Sequence, residues 1–392
     1  MKKLIVLLAA IAMVAAFTAT AMADAELYGS ARFRTYYTSN DNGKPGVESK
    51  KDLEWRIGNL TRFGVNFKSD KLTGKFELDA RNNTFKVSDG TVSDTTASVD
   101  DTSGTSGLGG LRLRQLWGQY DFGTFKFMIG QNFPLYDMPV SGIAYFSGGL
   151  QPQGGMGYLV ARTSQVRFTM GNLELAFLTP DTTQDGLSND VYSYKQVNTT
   201  FPRTELRYNM KVENFAMNFM GGWQTYEIED YDFATATGSK NTENITSYVL
   251  GFRAKTNFGP GYAGLGATYR VNGKNYGAWT TVSKEAAIFE PGTNDVKDAT
   301  AWGVVAALGW KINDMFTLEG NYAKLHSEQD TVADNEDDNS TWALLAQIHV
   351  APGVLIQPEF IYNDREDVVT NGVSTDQGDE TIIGVWWKID FK

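Results

Sequence analysis

The chain has no cysteine, only two histidines and only ten prolines among its 392 residues. The lack of cysteine excludes a disulfide scaffold and all thiol chemistry. No segment shows sustained helical periodicity. Beyond the N-terminus, no stretch approaches the roughly 20 apolar residues that a transmembrane helix requires. If the protein lies in a membrane, it must therefore cross as β-strands.

The N-terminus has the three parts of a secretory signal peptide. Two lysines follow the initiating methionine, residues 4–17 are a short apolar run, and residues 21–23 (Ala-Met-Ala) are a small-residue cleavage site. We expect residues 1–23 to be removed and residues 24–392 to form one domain. The formal net charge is -11, and loss of the two lysines makes it -13. This balance argues against nucleic acid as a partner.

The last residues of the chain alternate between apolar and polar side chains. One face carries Ile383, Val385, Trp387, Ile389 and Phe391, and the other carries Gly384, Trp386, Lys388 and Asp390. A period of two with one apolar face is typical of a strand that has lipid outside and water inside. The aromatic residue next to the C-terminus resembles the signal by which outer-membrane barrel proteins are recognised. We therefore expect the barrel assembly machinery to bind this strand.

The same alternation predicts sixteen strands along the chain. They span residues 25–39, 54–68, 73–87, 111–122, 124–131, 159–170, 172–179, 200–210, 214–226, 246–258, 262–272, 300–312, 315–327, 341–351, 354–364 and 380–391. Seven short turns alternate with eight long loops, an asymmetry that is typical of an even-stranded membrane barrel. A soluble sandwich or propeller would not need it. We predict an all-β fold, a 16-stranded antiparallel transmembrane β-barrel.

Residues 114–131 (RQLWGQYDFGTFKFMIGQ) resemble the fourth strand, tight turn and fifth strand of the trimeric porins of Gram-negative bacteria. Residues 27–29 and 162–168 and the terminal strand also resemble that family, and the tryptophan-rich, acidic character is similar to porins of sulfate- and metal-reducing proteobacteria. The resemblance implies passive diffusion of small hydrophilic solutes through a homotrimer in the bacterial outer membrane, surrounded by lipid and lipopolysaccharide. Small residues on the predicted outer face suit contact between protomers: Gly29, Ala31, Thr61 and Ala80.

The resemblance also implies that the third long loop, residues 132–158, folds into the barrel and narrows it. That loop usually carries several carboxylates in the family, whereas here it has a single acid. The candidate constriction residues are Phe133, Tyr136, Asp137, Tyr145 and Phe146. We expect the narrowest point to be more aromatic and less charged than in the family.

Arginines on the polar faces of the first four predicted strands are candidates for the pore wall. On the lipid side each would cost about 2–4 kcal/mol at the bilayer midplane, so they are expected to face water. The candidates are Arg32, Arg34, Arg56, Arg62, Arg81, Arg112 and Arg114. Alternatively, some of them only pair with acidic residues of the same strands or lie at the wall that faces the trimer.

Two further arginines, Arg162 and Arg167, fall on opposite faces of one predicted strand. One of them must therefore be displaced by a bulge or lie in the adjoining loop.

Three functions remain open at this point. A passive pore needs no turnover, cofactor or metal, and this is the function we predict. A substrate-specific channel would stack a solute on the aromatic residues of the third loop. An outer-membrane hydrolase would need a histidine dyad or triad. Of the two histidines, His326 lies close to the acidic loop 328–340 and His349 lies near a short turn.

Charge selectivity also remains open. The basic wall favours anions, whereas acidic loops favour cations at the mouth. The narrowest point of a channel usually dominates its charge selectivity, and this favours anions here. The acidic loop 328–340 is interpreted as solvated. The alternatives are that it attracts cations to the pore mouth or that divalent cations bridge it to lipopolysaccharide. The residue spacing of an EF-hand calcium site is missing from this loop.

Overall fold

The computed structural model describes residues 24–41, 43, 49–58, 61–80, 86–88, 91–92, 111–137, 139–145, 162–182, 193–231, 240–278, 280–289, 296–331 and 333–392. The predicted signal peptide lies outside the described residues, as do Arg81 and Phe146. Within these ranges, no helix has the length and apolar character to cross a membrane.

The described residues form twenty-four β-strands. They are β1 (Asp24–Asn40), β2 (Lys50–Ile57), β3 (Arg62–Lys68), β4 (Leu72–Ala80), β5 (Lys86–Ser88), β6 (Thr91–Val92), β7 (Leu111–Asp121), β8 (Lys126–Asn132), β9 (Thr163–Met170), β10 (Leu173–Leu178), β11 (Ser193–Asn198), β12 (Arg203–Val212), β13 (Phe215–Tyr231), β14 (Lys240–Phe258), β15 (Gly261–Val271), β16 (Ile288–Phe289), β17 (Val296–Lys297), β18 (Ala299–Lys311), β19 (Phe316–Gln329), β20 (Glu336–Ala351), β21 (Val354–Asp364), β22 (Asp367–Thr370), β23 (Val373–Asp376) and β24 (Asp379–Phe391).

These strands fill sixteen positions of one closed antiparallel barrel. Three positions hold two strands each, namely β2 with β3, β4 with β5, and β11 with β12. Neighbouring positions pair all the way round, and β1 pairs with β24 from Gly29↔Phe391 to Asn40↔Glu380, which closes the sheet. The predicted sixteen-stranded antiparallel barrel is confirmed. The remaining strands form short hairpins in the long connections.

The second predicted strand, 54–68, is interrupted in the structure. Ser30 pairs with Arg62 and Phe33 with Ile57, so two residues separate these pairs along β1 and four residues separate them along the chain from β2 to β3. The Thr61 hydroxyl accepts a hydrogen bond from the backbone N–H of Arg32 at 3.1 Å, which partly replaces the missing ladder bonds. Alternation continues unbroken through this segment because two extra residues keep the same face inward.

The prediction also missed strands that lie in the long connections. β11 falls in the predicted loop 180–199, and the β22–β23 hairpin falls in the predicted loop 365–379. Asn371 and Gly372 both have positive φ at the tip of this hairpin, which is the Asn-Gly signature of a tight turn. The predicted third strand, 73–87, corresponds to β4 up to Ala80 and to β5 from Lys86, and residues 81–85 lie outside the described residues. These segments lack the sustained apolar alternation that identified the other strands.

The outer surface of the barrel is apolar. Five tryptophans of the barrel strands are between 40% and 57% exposed: Trp55, Trp223, Trp302, Trp310 and Trp387. In β18 the outward side chains are bulky, as at Leu308, whereas the inward ones are small and buried, as at Ala301 and Ala307. The inner face of β18 therefore leaves space for other parts of the chain.

Candidate pore interior

Six cationic side chains of the first four barrel positions share three carboxylates. The ion pairs are Arg34–Glu54 (3.1 Å), Arg56–Glu54 (3.2 Å), Arg62–Glu77 (3.5 Å), Lys75–Glu77 (3.7 Å), Arg112–Asp79 (3.2 Å), Arg114–Glu77 (2.6 Å) and Arg114–Asp79 (3.3 Å). These nine groups, here called the basic patch, carry a formal excess of three positive charges. Glu77 and Asp79 are fully buried, so salt screens these pairs less than exposed ones.

Arg114 occupies a β-bulge. Glu77 pairs with Gln115 and Leu78 pairs with Leu113, which makes Arg114 an extra residue in β7. A bulge lets two successive side chains point to the same face, and Arg114 and Gln115 are both buried. The guanidinium thereby lies between two carboxylates: Nε donates to Glu77 and Nη1 donates to Asp79.

The remaining predicted arginines have other partners. Arg32 donates from Nε to the Ser30 hydroxyl at 2.9 Å, and its guanidinium lies 5.8 Å from the ring centre of Trp386. Arg162 precedes β9 and lies over the ring of Phe133, whereas Arg167 is within β9. The conflict between the two predicted faces is resolved because Arg162 lies outside the strand.

Part of the predicted third loop is anchored to the wall by arginines. Residues 133–137 and 139–145, here called the third-loop segment, follow β8 directly. Arginines of three strands donate to carbonyl oxygens of this segment. The bonds are Arg167 to Phe133, Arg207 to Leu135 at 3.0 Å and Arg253 to Pro139 at 3.2 Å.

Carboxylates of other strands accept hydrogen bonds from the amides of the same segment. Leu135 N–H donates to Glu205 at 2.6 Å, Gly142 N–H donates to Glu319 at 2.7 Å, and Tyr145 N–H donates to Glu359 at 3.0 Å. The segment is not a regular strand, so its backbone groups would otherwise lack partners. Charged side chains of the barrel wall supply these partners.

The aromatic residues of the third-loop segment pack against protein. Tyr136 is fully buried. The Tyr145 ring lies 4.8 Å from that of Tyr36 and beneath the Arg34 guanidinium, 4.6 Å from it. Asp137 is partly exposed. Tyr136 is therefore not available to stack on a solute in this conformation, which disfavours that part of the aromatic-stacking hypothesis.

A second long connection also packs against inward-facing side chains, and the sequence analysis did not predict it. It comprises residues 272–278 and 280–287, here called the sixth-loop segment. Tyr276 is fully buried and donates a hydrogen bond from its hydroxyl to Glu205 at 2.9 Å. Gln224 donates to the carbonyl of Asn275 at 2.7 Å. Since Glu205 also accepts from Leu135, one carboxylate joins the third-loop and sixth-loop segments.

The opposite end of the sixth-loop segment is attached to other strands. Ser283 donates through its hydroxyl to Asp337 at 2.6 Å, and Gln329 donates to the carbonyl of Ala286 at 2.9 Å. Burial raises the pKa of Tyr276, which keeps its hydroxyl a neutral donor. Burial also raises the pKa of Glu285, and the adjacent Arg270 guanidinium opposes this effect.

Replacing Gly222 by valine is expected to displace the sixth-loop segment, because a Cβ at this position would lie 2.1 Å from the Tyr276 hydroxyl oxygen. Trypsin should then cleave faster after Lys274 and Lys284, which lie within the segment. Gly221→Val is the matched control, since its Cβ would meet only Leu250 at 3.7 Å. If trypsin cleaved the two variants at equal rates, Tyr276 would not anchor the sixth-loop segment.

Apart from Arg162 and Arg167, the sequence analysis considered arginines only in the first four strands, and it missed an equally inward-facing group further along the chain. Its members are Arg203, Arg207, Arg253 and Arg270. Their positions on the polar faces of predicted strands carried the same signal as in the first four strands. Their use as anchors for loop carbonyls carried no sequence signal.

His326 forms the Asp–His pair that the hydrolase hypothesis requires. Its Nδ1 lies 3.1 Å from Asp338, and its ring centre lies 5.8 Å from that of Trp302, on the outer face of the barrel. Its polar contacts within the described residues are carboxylates, and none is a hydroxyl nucleophile. His349 is exposed beside a short turn. The described residues hold no group of three or more side chains suited to a metal ion.

A closed sixteen-stranded antiparallel barrel with charged inner and apolar outer faces is the architecture of porin-type channels. Three solved structures match nearly the whole chain. They are the outer membrane channel DcaP of Acinetobacter baumannii (16% identity, 94% of this chain, 97% of that chain, TM-score 0.66), the trimer form of OmpT, an outer membrane protein of Vibrio cholerae (13%, 94%, 99%, 0.55), and an anion-selective porin from Comamonas acidovorans (12%, 94%, 100%, 0.54). No protein family and no curated protein matches the sequence. The likeness is therefore one of fold.

Proposed function

We propose that this protein is a bacterial outer-membrane porin that lets small hydrophilic solutes and ions diffuse passively, without enzymatic turnover. The observation that carries this proposal is the closed barrel, whose exposed large side chains are apolar and whose inward side chains are charged. Such a wall suits lipid outside and water inside. A cleaved signal peptide, assembly through the C-terminal strand, contact with lipopolysaccharide and a homotrimer complete the proposal.

The third-loop segment is proposed as the constriction. Its support is the pattern of anchors, since arginines hold its carbonyls and carboxylates of other strands hold its amides. These anchors come from strands spread around the barrel, from β9 to β21. A segment tied in this way to distant parts of one wall crosses the space that the wall encloses.

The proposed channel favours anions. The basic patch has an excess of three positive charges, and four of its cations remain 17% to 29% exposed: Arg56, Arg62, Lys75 and Arg112. Partly exposed charges on an inward-facing wall attract counter-ions and set ion selectivity.

The reversal potential across a salt gradient in a planar bilayer tests both parts of the proposal. We expect an anion-selective potential, and a shift towards cation selectivity when Arg62 and Arg112 are both replaced by glutamine. Replacement of Lys311, an exposed residue next to a short turn, is the control and should leave the potential unchanged. If the purified protein gave no ion current, the proposed channel function would be wrong. If the double variant left the reversal potential unchanged, the basic patch would not set the ion selectivity.

A further inference from the structure

A pocket of about 330 Å³, most of whose lining residues are polar or charged, lies where β20, β21 and β24 meet the sixth-loop segment. Its lining includes Ser283, Asp337, Asn339, Asn363, Arg365 and Glu380. It lies at the end of the barrel that carries the long connections, because all three strands meet long connections there. The volume falls in the range of pockets that hold small molecules.

The walls of the pocket are held in place by their own hydrogen bonds. Ser283 donates to Asp337 from its hydroxyl. Asn363 and Arg365 both donate to Oε2 of Glu380, at 3.0 and 3.1 Å. Side chains fixed in this way present their remaining polar atoms to a ligand without a further cost in conformational entropy.

Unused hydrogen-bonding capacity remains in the pocket. Asn339 is only 5% exposed, and its Oδ1 has no hydrogen-bond partner among the described residues. The bonds to the two carboxylates use Oδ2 of Asp337 and Oε2 of Glu380, so the other oxygen of each is unused by these bonds. A buried amide oxygen without a partner is unfavourable, and a ligand that donates to it removes this cost.

The charge of the lining selects the class of ligand. Two carboxylates and one guanidinium give a formal excess of one negative charge, which disfavours anions. The Arg365 guanidinium, 3.1 Å from Glu380, would repel a cation that approached that carboxylate. The unpartnered group is a neutral amide oxygen, and hydroxyl groups can donate to it and also accept from Arg365.

From these observations we infer that the pocket binds a neutral polyhydroxylated solute, a small sugar or polyol, before it enters the channel. This inference rests on the proposed channel function. The aromatic residues of the third-loop segment take no part in it.

The test is block of ion current by glucose, added on the side of the long connections to the full-length mature protein in a planar bilayer. Glucose should reduce the current saturably, and Asn339→Leu should raise the half-blocking concentration about tenfold, as expected for loss of one hydrogen bond in a buried site. Asn244→Leu is the matched control, because this asparagine is exposed on β14.

Arg365→Gln is a second variant for the case that Asn339→Leu does not form channels, since Arg365 lies at the more exposed rim and its replacement should also weaken block. Normal ion current without saturable block by glucose would overturn the site and leave the channel function standing. Stronger block by gluconate or glucosamine than by glucose would overturn the neutral class. Absence of any ion current would instead overturn the channel function itself.

Discussion

Replacing Glu359 by alanine is expected to increase the single-channel conductance and to broaden its distribution. The Glu359 carboxylate accepts four hydrogen bonds, from the hydroxyl of Tyr36 at 2.6 Å, from the side chain of Gln357 at 2.6 Å, and from the amides of Ala144 and Tyr145. Its loss leaves the Tyr36 hydroxyl and the two amides without this acceptor, at about 1–3 kcal/mol for each such group, whereas Gln357 still donates to the Gly142 carbonyl. The end of the third-loop segment should then detach from β21.

Planar-bilayer recordings of the purified variant would measure this change. Glu328→Ala is the matched control, because the Glu328 side chain is 55% exposed and lies outside the third-loop segment. Its conductance should equal that of the unchanged protein. If Glu359→Ala formed channels of unaltered conductance, the third-loop segment would not be the constriction.

Replacing Arg114 by methionine is expected to lower the free energy of unfolding by about 3–5 kcal/mol, because it removes one partner from a buried ionic cluster. Glu77 and Asp79 are fully buried. The other ion pairs of Glu77, at 3.5 and 3.7 Å, are longer than its 2.6 Å pair with Arg114, and Asp79 also pairs with Arg112 at 3.2 Å. Urea unfolding in lipid vesicles, followed by tryptophan fluorescence, would measure the loss.

Two further variants identify the cause of this loss. Lys311→Met breaks an ion pair whose partner, Asp314, is fully exposed, and we expect no measurable change. Combining Arg114→Met with Glu77→Gln should recover part of the stability, because it also removes one uncompensated charge. If the double variant lost more free energy of unfolding than the two single variants lose together, the charge-pairing explanation would be wrong.

Alternation in the sequence was sufficient to predict the barrel. In β18 and β24, where one face is apolar and the other is small or polar, the bounds were predicted to within one residue. The signal disappears where strands continue beyond the apolar zone, as in β11 and the extended end of β14, because both faces of the strand are then polar. The tight Asn371-Gly372 turn could have revealed the hairpin between β22 and β23.

The interior was only partly predictable. Parity placed Arg34, Arg56 and Arg62 on the polar faces of their strands, but it could not show which carboxylate each one would share. The anchoring of loops depends on single bonds between wall side chains and irregular backbone, such as that from Gly142 to Glu319. Such bonds join residues far apart in sequence and follow no period, so they leave no pattern to detect.

The small inward residues of β18 have a consequence beyond this protein. A wall that holds a water-filled space has no need of alanine and glycine at successive inward positions, whereas Ala299, Ala301 and Gly303 are all buried here. Small side chains on the inward face of a strand thus indicate where another part of the chain can pack. In the sequence of another β-barrel, a run of small inward-facing residues would predict that a segment of the chain packs inside the barrel.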